Sequence, residues 1–129
     1  NPYGELYLKV INSFAFNSVA ILYNQNNYQL SKNKEEIRNI ENIIKEFDKQ
    51  VLKIGIELNQ SIKSRINQTL NSKKHTMSML KDFRLGKKIE LSSQWKSLNN
   101  IKELKPKVDL IKTNLLYKRV SKVIMNANL

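Results

Sequence analysis

The apolar residues of the segment 33–65 fall at Ile37, Ile40, Ile44, Phe47, Val51, Ile54 and Leu58, in steps that alternate between three and four residues. An average step of 3.5 residues keeps one stripe of a helix facing a partner helix along a left-handed crossing. The seam continues at Ile62, Ile66, Leu70, Met77 and Leu80, with Phe83 beyond. Unbroken over 34–85 at 1.5 Å per residue, this helix would reach roughly 75 Å. Gly55 and the polar stretch Asn71 to His75 are the places where it would bend or break. Gly86 is its natural stop: glycine is favoured just past a helix C-terminus, and Lys81, Arg84, Lys87 and Lys88 suit the negative end of the dipole.

The rest of the chain follows the same period. Leu6, Val10, Phe14, Ile21 and Leu22 mark one face of an opening helix over 2–24, which Leu8, Ile11, Phe16 and Val19 widen. So wide a stripe belongs to a helix surrounded by partners. Asn1 before Pro2 suits a helix start. The asparagine-rich stretch 24–33 has low helix propensity and ends that helix. Asn33, with Glu36 three residues on, restarts it in the manner of a capping box, and Glu35 and Glu36 sit where the dipole favours acids. Residues 88–100 read as a short helix or connector. A last helix over about 106–126 carries Val108, Ile111, Leu115, Leu116, Val120, Val123 and Ile124. No period-2 run suggests a strand. The expectation is a single all-α domain over 1–129: an elongated antiparallel bundle of three or four helices, coiled-coil-like, with one long central helix. An opening helix of about 25 residues covers only half of the central one, so a stretch of seam is left for another partner.

Composition sharpens this picture. With 129 residues the chain makes one domain, and 3 Gly and 2 Pro suit helices better than sheets. The absence of cysteine excludes disulfides and thiolate chemistry. No apolar run approaches the ~18–20 residues that span a bilayer, the longest being Phe14 to Tyr23, interrupted by Asn17 and Ser18. No signal peptide is visible, which favours the cytoplasm; the chain opens at Asn1 rather than Met, so an upstream signal would escape this reading. Charge is uneven. Residues 1–60 hold seven basic and seven acidic side chains, whereas 61–129 hold sixteen basic and four acidic, so the whole +12 lies in the second half. A basic half attracts nucleic acid, an anionic lipid surface or an acidic protein. Lys73, Lys74, Lys81, Arg84, Lys87 and Lys88 are the candidate anion-binding residues. With four Arg against nineteen Lys, sequence-specific base readout is not expected.

Catalytic chemistry finds little to build on. His75 is the one histidine, which excludes a multi-histidine metal site and leaves it on an exposed polar turn. The acidic side chains of 35–48 are expected in helical ion pairs such as Glu41 with Lys45. Ser31 to Lys34 and Ser93 to Lys96 match an S-x-x-K pattern without its companion motifs, and Arg84 to Lys88 has one Gly and no P-loop frame. No enzyme activity, cofactor, metal or small-molecule substrate is therefore expected.

The segment 51–89, through Leu52, Ile54, Leu58, Ile62, Leu80, Leu85, Gly86, Lys87 and Lys88, resembles the C-terminal half of flagellar export chaperones of the FliT type. The resemblance rests on the apolar step pattern and on Leu80 to Lys88, and covers about a third of the chain. It implies an all-helical, non-enzymatic protein that shields the amphipathic end of an export substrate. Three functions follow as expectations. The first is a non-enzymatic helical protein-binding module, an adaptor or export chaperone. It would dock a partner's amphipathic helix, or a second copy, along Ile54, Leu58, Ile62, Ile66, Leu70, Met77, Leu80 and Phe83. The alternatives are binding of nucleic acid or an anionic membrane surface through the lysine-rich half, and a helical scaffold or surface protein of an AT-rich microbe.

Overall fold

The computed structural model describes residues 2–71, 77–102 and 109–127. Among them the chain is all-α, with no strand: α1 (Pro2–Tyr23), α2 (Asn27–Ser31), α3 (Lys34–Lys53), α4 (Ile62–Leu70), α5 (Ser78–Arg84), α6 (Leu91–Lys102) and α7 (Ile111–Ala127). The opening helix falls where the periodicity puts it. Residues 103–108, where the last helix was expected to begin, lie outside the described residues, as does Asn1.

The long central rod is not formed. α3 stops at Lys53, and the segment 34–85 divides into α3, α4 and α5. The cause is local. Gly55 takes φ +88°, a left-handed conformation that costs other residues more, and it closes α3 with two reversed hydrogen bonds: Gly55 N–H to the Leu52 carbonyl (3.0 Å) and Ile56 N–H to the Val51 carbonyl (3.2 Å). The same paired closure ends α5 at Gly86 (φ +75°), through Gly86 N–H to Phe83 and Lys87 N–H to Asp82. It ends α1 at Asn24 (φ 53°) as well, asparagine being among the few side chains that accept this region.

Helix starts are equally legible. The Asn33 side chain accepts the Glu36 N–H (3.3 Å), but the Glu36 carboxylate accepts from Asn33 Nδ2 (3.0 Å) rather than from its backbone. α2 was not expected in so asparagine-rich a stretch. Asn26 and Gln29 explain it, forming a full capping box: Gln29 N–H to Asn26 Oδ1 (3.0 Å) and Asn26 N–H to Gln29 Oε1 (2.9 Å). α7 is capped from another helix, with Glu46 of α3 accepting the N–H groups of Lys112 (2.9 Å) and Thr113 (2.7 Å) and the Thr113 hydroxyl (2.6 Å).

α1 is the hub, packing against α3, α5, α6 and α7. By length and composition Gly4–Tyr23 would also suffice to cross a bilayer, which corrects the expectation that no segment is long enough. Half of that stretch is buried against the protein itself, since Ile11, Phe14, Phe16, Val19 and Ile21 are core residues. Phe14 sits at the centre of an aromatic group, meeting Phe47 (5.9 Å), Trp95 (5.6 Å, edge-on) and Tyr117 (6.0 Å, edge-on), while Trp95 stacks on Tyr117 at 4.3 Å.

Three helices are pinned by Arg65 of α4, which is 1% exposed. Its Nε donates to Asn12 Oδ1 of α1 (3.1 Å) and its Nη1 to Asp48 Oδ2 of α3. This is the one ion pair among the described residues. Glu41 and Lys45, expected to pair, do not, in keeping with the small net worth of exposed pairs, about 0–1 kcal/mol. A buried pair is different: truncating one partner leaves an uncompensated charge and typically costs about 3–5 kcal/mol.

Candidate functional site

The structure redistributes the residues expected to dock a partner. Ile66, Leu70 and Leu80 are buried in the core, and Ile54, Leu58, Ile62, Met77 and Phe83 are half-buried and packed against it. The seam as a continuous open surface is thus lost, because the break at Gly55 folds it back onto α1 and α3. One portion of it still reaches the surface. Ile62, Ile66 and Leu70 of α4 line a groove of about 520 Å³ with Ile37 of α3, rimmed by Glu41, Lys45, Lys63 and Asn67. The most exposed large apolar side chains lie outside the expected set: Leu52, Leu85, Ile111, Leu115 and Met125 are each at least 60% exposed.

Of the expected anion-binding residues, Arg84, Lys87 and Lys88 come together along one groove of about 530 Å³. Lys81 is exposed but does not line it, and Lys73, Lys74 and His75 lie outside the described residues. Arg84 is partly committed to structure, donating from Nε to Asn24 Oδ1 (2.7 Å) and from Nη2 to the Asn24 carbonyl (3.2 Å), where α1 ends.

Next to this groove is a polar pocket of about 420 Å³ that the sequence did not announce as a site. α1 contributes Ser13 and Asn17, four residues apart and so on one face. α5 and the residue before it contribute Met77, Ser78, Met79 and Asp82, the following turn Lys88, Ile89 and Glu90, and α6 Gln94. Ser13 organises it: its Oγ accepts from Asn17 Nδ2 (3.0 Å) and from Gln94 Nε2 (2.9 Å), which uses both lone pairs and leaves its hydrogen to be donated. Asn17 is 5% exposed, and neither its Oδ1 nor Gln94 Oε1 takes a hydrogen bond from the described residues. Both oxygens are shut away from solvent, behind the lining rather than on it. Glu90 is held in place by the Ser93 hydroxyl, which donates to its Oε2 (2.9 Å). The signal was present at Asn17, which interrupts the apolar-leaning stretch from Phe14 to Tyr23.

What emerges is an all-helical domain with a polar, small-molecule-sized pocket against its central helix. The family model described as ketopantoate reductase PanE/ApbA C terminal matches residues 3–98, and the chain belongs to that family. Every residue lining the polar pocket lies within the matched segment. No curated protein and no solved structure matches the chain. The family found is a different one from the FliT-type chaperones that residues 51–89 resemble.

Proposed function

We propose that this chain is the recognition domain of a ketopantoate-reductase-type protein, non-catalytic by itself, whose pocket holds a small hydroxy or keto acid. The observation that carries this is the hydrogen-bonded Ser13–Asn17–Gln94 cluster, whose three residues line a single cavity and leave the Ser13 hydroxyl hydrogen to be donated. Lys88 on the same wall supplies the cation for a carboxylate. The Ser13 hydroxyl suits a carbonyl or hydroxyl oxygen of the ligand, and the Asp82 and Glu90 side chains of the lining suit its hydroxyl hydrogen. The volume fits a small molecule held by a few convergent polar groups. The family's description is that of the C-terminal part of a reductase. Hydride delivery is accordingly assigned to a second protein body against which this domain docks. A small-molecule ligand departs from the expectation that the sequence alone supports. Titrating the chain with ketopantoate and pantoate by calorimetry tests the reading. Saturable binding is expected, weakened about tenfold, or 1.4 kcal/mol, in Asn17→Ala. Absence of binding at millimolar acid, or binding indifferent to Asn17 and Ser13 substitutions, would rule it out.

A second reading concerns that docking. The groove of Ile37, Ile62, Ile66 and Leu70 is apolar at its base and edged by both signs of charge. It suits an amphipathic helix of a partner protein, and it keeps the portion of the seam that folding does not hide. Ile62, half-buried at the groove, is the residue to change. Ile62→Asp is expected to abolish association with a partner, read by size exclusion with light scattering, while leaving the helical circular dichroism intact. Loss of helicity instead would make Ile62 a core residue only.

A further inference from the structure

We infer that the groove beside the polar pocket is a binding site for a phosphate monoester carried on a small apolar body. Arg84, Lys87 and Lys88 line it, Phe83, Ile89 and Ile124 supply apolar walls, and no acidic side chain is among its lining. Electrostatics must be weighed before the cations are credited, because α1, α5 and α7 all end here, at Asn24, Gly86 and Ala127. Each helix C-terminus carries about −0.5 of an elementary charge. Three such ends offset about half of the three cations, leaving a net charge of about +1.5. The helix ends thus explain part of the basic cluster and not all of it. None of the three cations is in an ion pair among the described residues, and the nearby Asp82 and Glu90 line the adjoining pocket rather than this groove.

The surplus matches a dianion better than a neutral ligand, and the three cationic groups match the three outer oxygens of a phosphate. Arg84 retains donors beyond the two engaged with Asn24, and the lysine ammonium groups have none engaged among the described residues. The apolar walls select for a body attached to the phosphate rather than for phosphate alone. About 530 Å³ accommodates a single aromatic or short aliphatic ester. Ile124 and Ala127 belong to α7, beyond the segment that the family model matches, whereas the three cations lie within it. Lys88 borders both cavities and is left unchanged in the test for that reason.

The test is a titration of the ¹⁵N-labelled full chain with phenyl phosphate, and in parallel with inorganic phosphate, at two ionic strengths. Saturable shifts confined to residues 83–89 and 124–127 are expected, with weaker binding at high salt. Lys87→Gln is expected to weaken phenyl phosphate about tenfold, the worth of one charge-assisted hydrogen bond. Ala127→Glu, at an exposed position on the rim, places a carboxylate beside the ligand and is expected to abolish binding without unfolding the chain. Inorganic phosphate is expected to bind at least about fivefold more weakly, since it leaves the apolar walls unused. Shifts scattered over the basic half, equal affinity for the two phosphates, or binding indifferent to both substitutions would each overturn the proposal.

Discussion

Glu36 is 4% exposed, and its Oε2 takes no hydrogen bond from the described residues. Burial pushes its carboxyl above the ordinary glutamate range; the nearby Gln25 side chain opposes this, and the charge of Glu35 adds to it. Asp48 is raised too, again chiefly by burial, with Arg65 opposing through hydrogen bond and charge. The sign of the consequence follows from proton counting. Between the ordinary value and the raised one, the native state binds more protons than the unfolded chain, so stability falls as pH rises through that window. Glu36→Gln keeps an oxygen for Asn33 Nδ2 and removes the charge. It is expected to raise the urea midpoint at neutral pH and to flatten, without abolishing, the decline from acid to neutral, Asp48 supplying the remainder. A variant whose midpoints simply run parallel to those of the parent would show that Glu36 carries no such linkage. Asn33 and Glu36 were recognisable from their spacing alone; that the carboxylate would be shut away from water was not, because burial there depends on residues distant in the chain.

At the scale of elements, capping decides where helices begin and end. Glu46 is the case with reach, since it sits on α3 and serves the first turn of α7 with three hydrogen bonds. Replacing it with Ala is expected to cost about 1–2 kcal/mol, the worth of a good cap with its dipole interaction. Amide exchange at Lys112 and Thr113 should quicken more than exchange in α1; uniform change across the molecule would argue against a local role. Glycines and caps were the readable part of the sequence: Gly55 and Gly86 stop helices where their lack of a side chain suggests. The continuous rod failed for a definite reason. Ile54, Leu58 and Ile62 keep four-residue steps across 54–61, which is not helical. An apolar side chain near a core satisfies burial from a loop as well as from a helix, so spacing alone could not tell them apart. α2 shows the converse, where a five-residue helix too short for periodicity is set by its capping box alone.

Over the whole molecule, the all-α architecture and the central place of α1 follow from the breadth of its apolar stripe, which α3, α5, α6 and α7 cover between them. The polar pocket was not foreseen because its parts are up to 81 residues apart in the chain, as with Ser13 and Gln94. Asn17 alone reads as an interruption; only the fold turns it into a wall. The basic groove was half visible, since Arg84, Lys87 and Lys88 are neighbours in sequence, whereas Ile124 and Ala127 arrive with α7.

Ser13 adjoins Phe14, and Gln94 adjoins Trp95, so the hydrogen bond across the pocket and the edge-on ring contact behind it are made by the same two pairs of neighbours. Trp95 is the sole tryptophan of the chain. Anything that enters and tugs Gln94 must also disturb the indole beside it, so the emission colour of one fluorophore becomes a native gauge of occupancy, available without any attached dye.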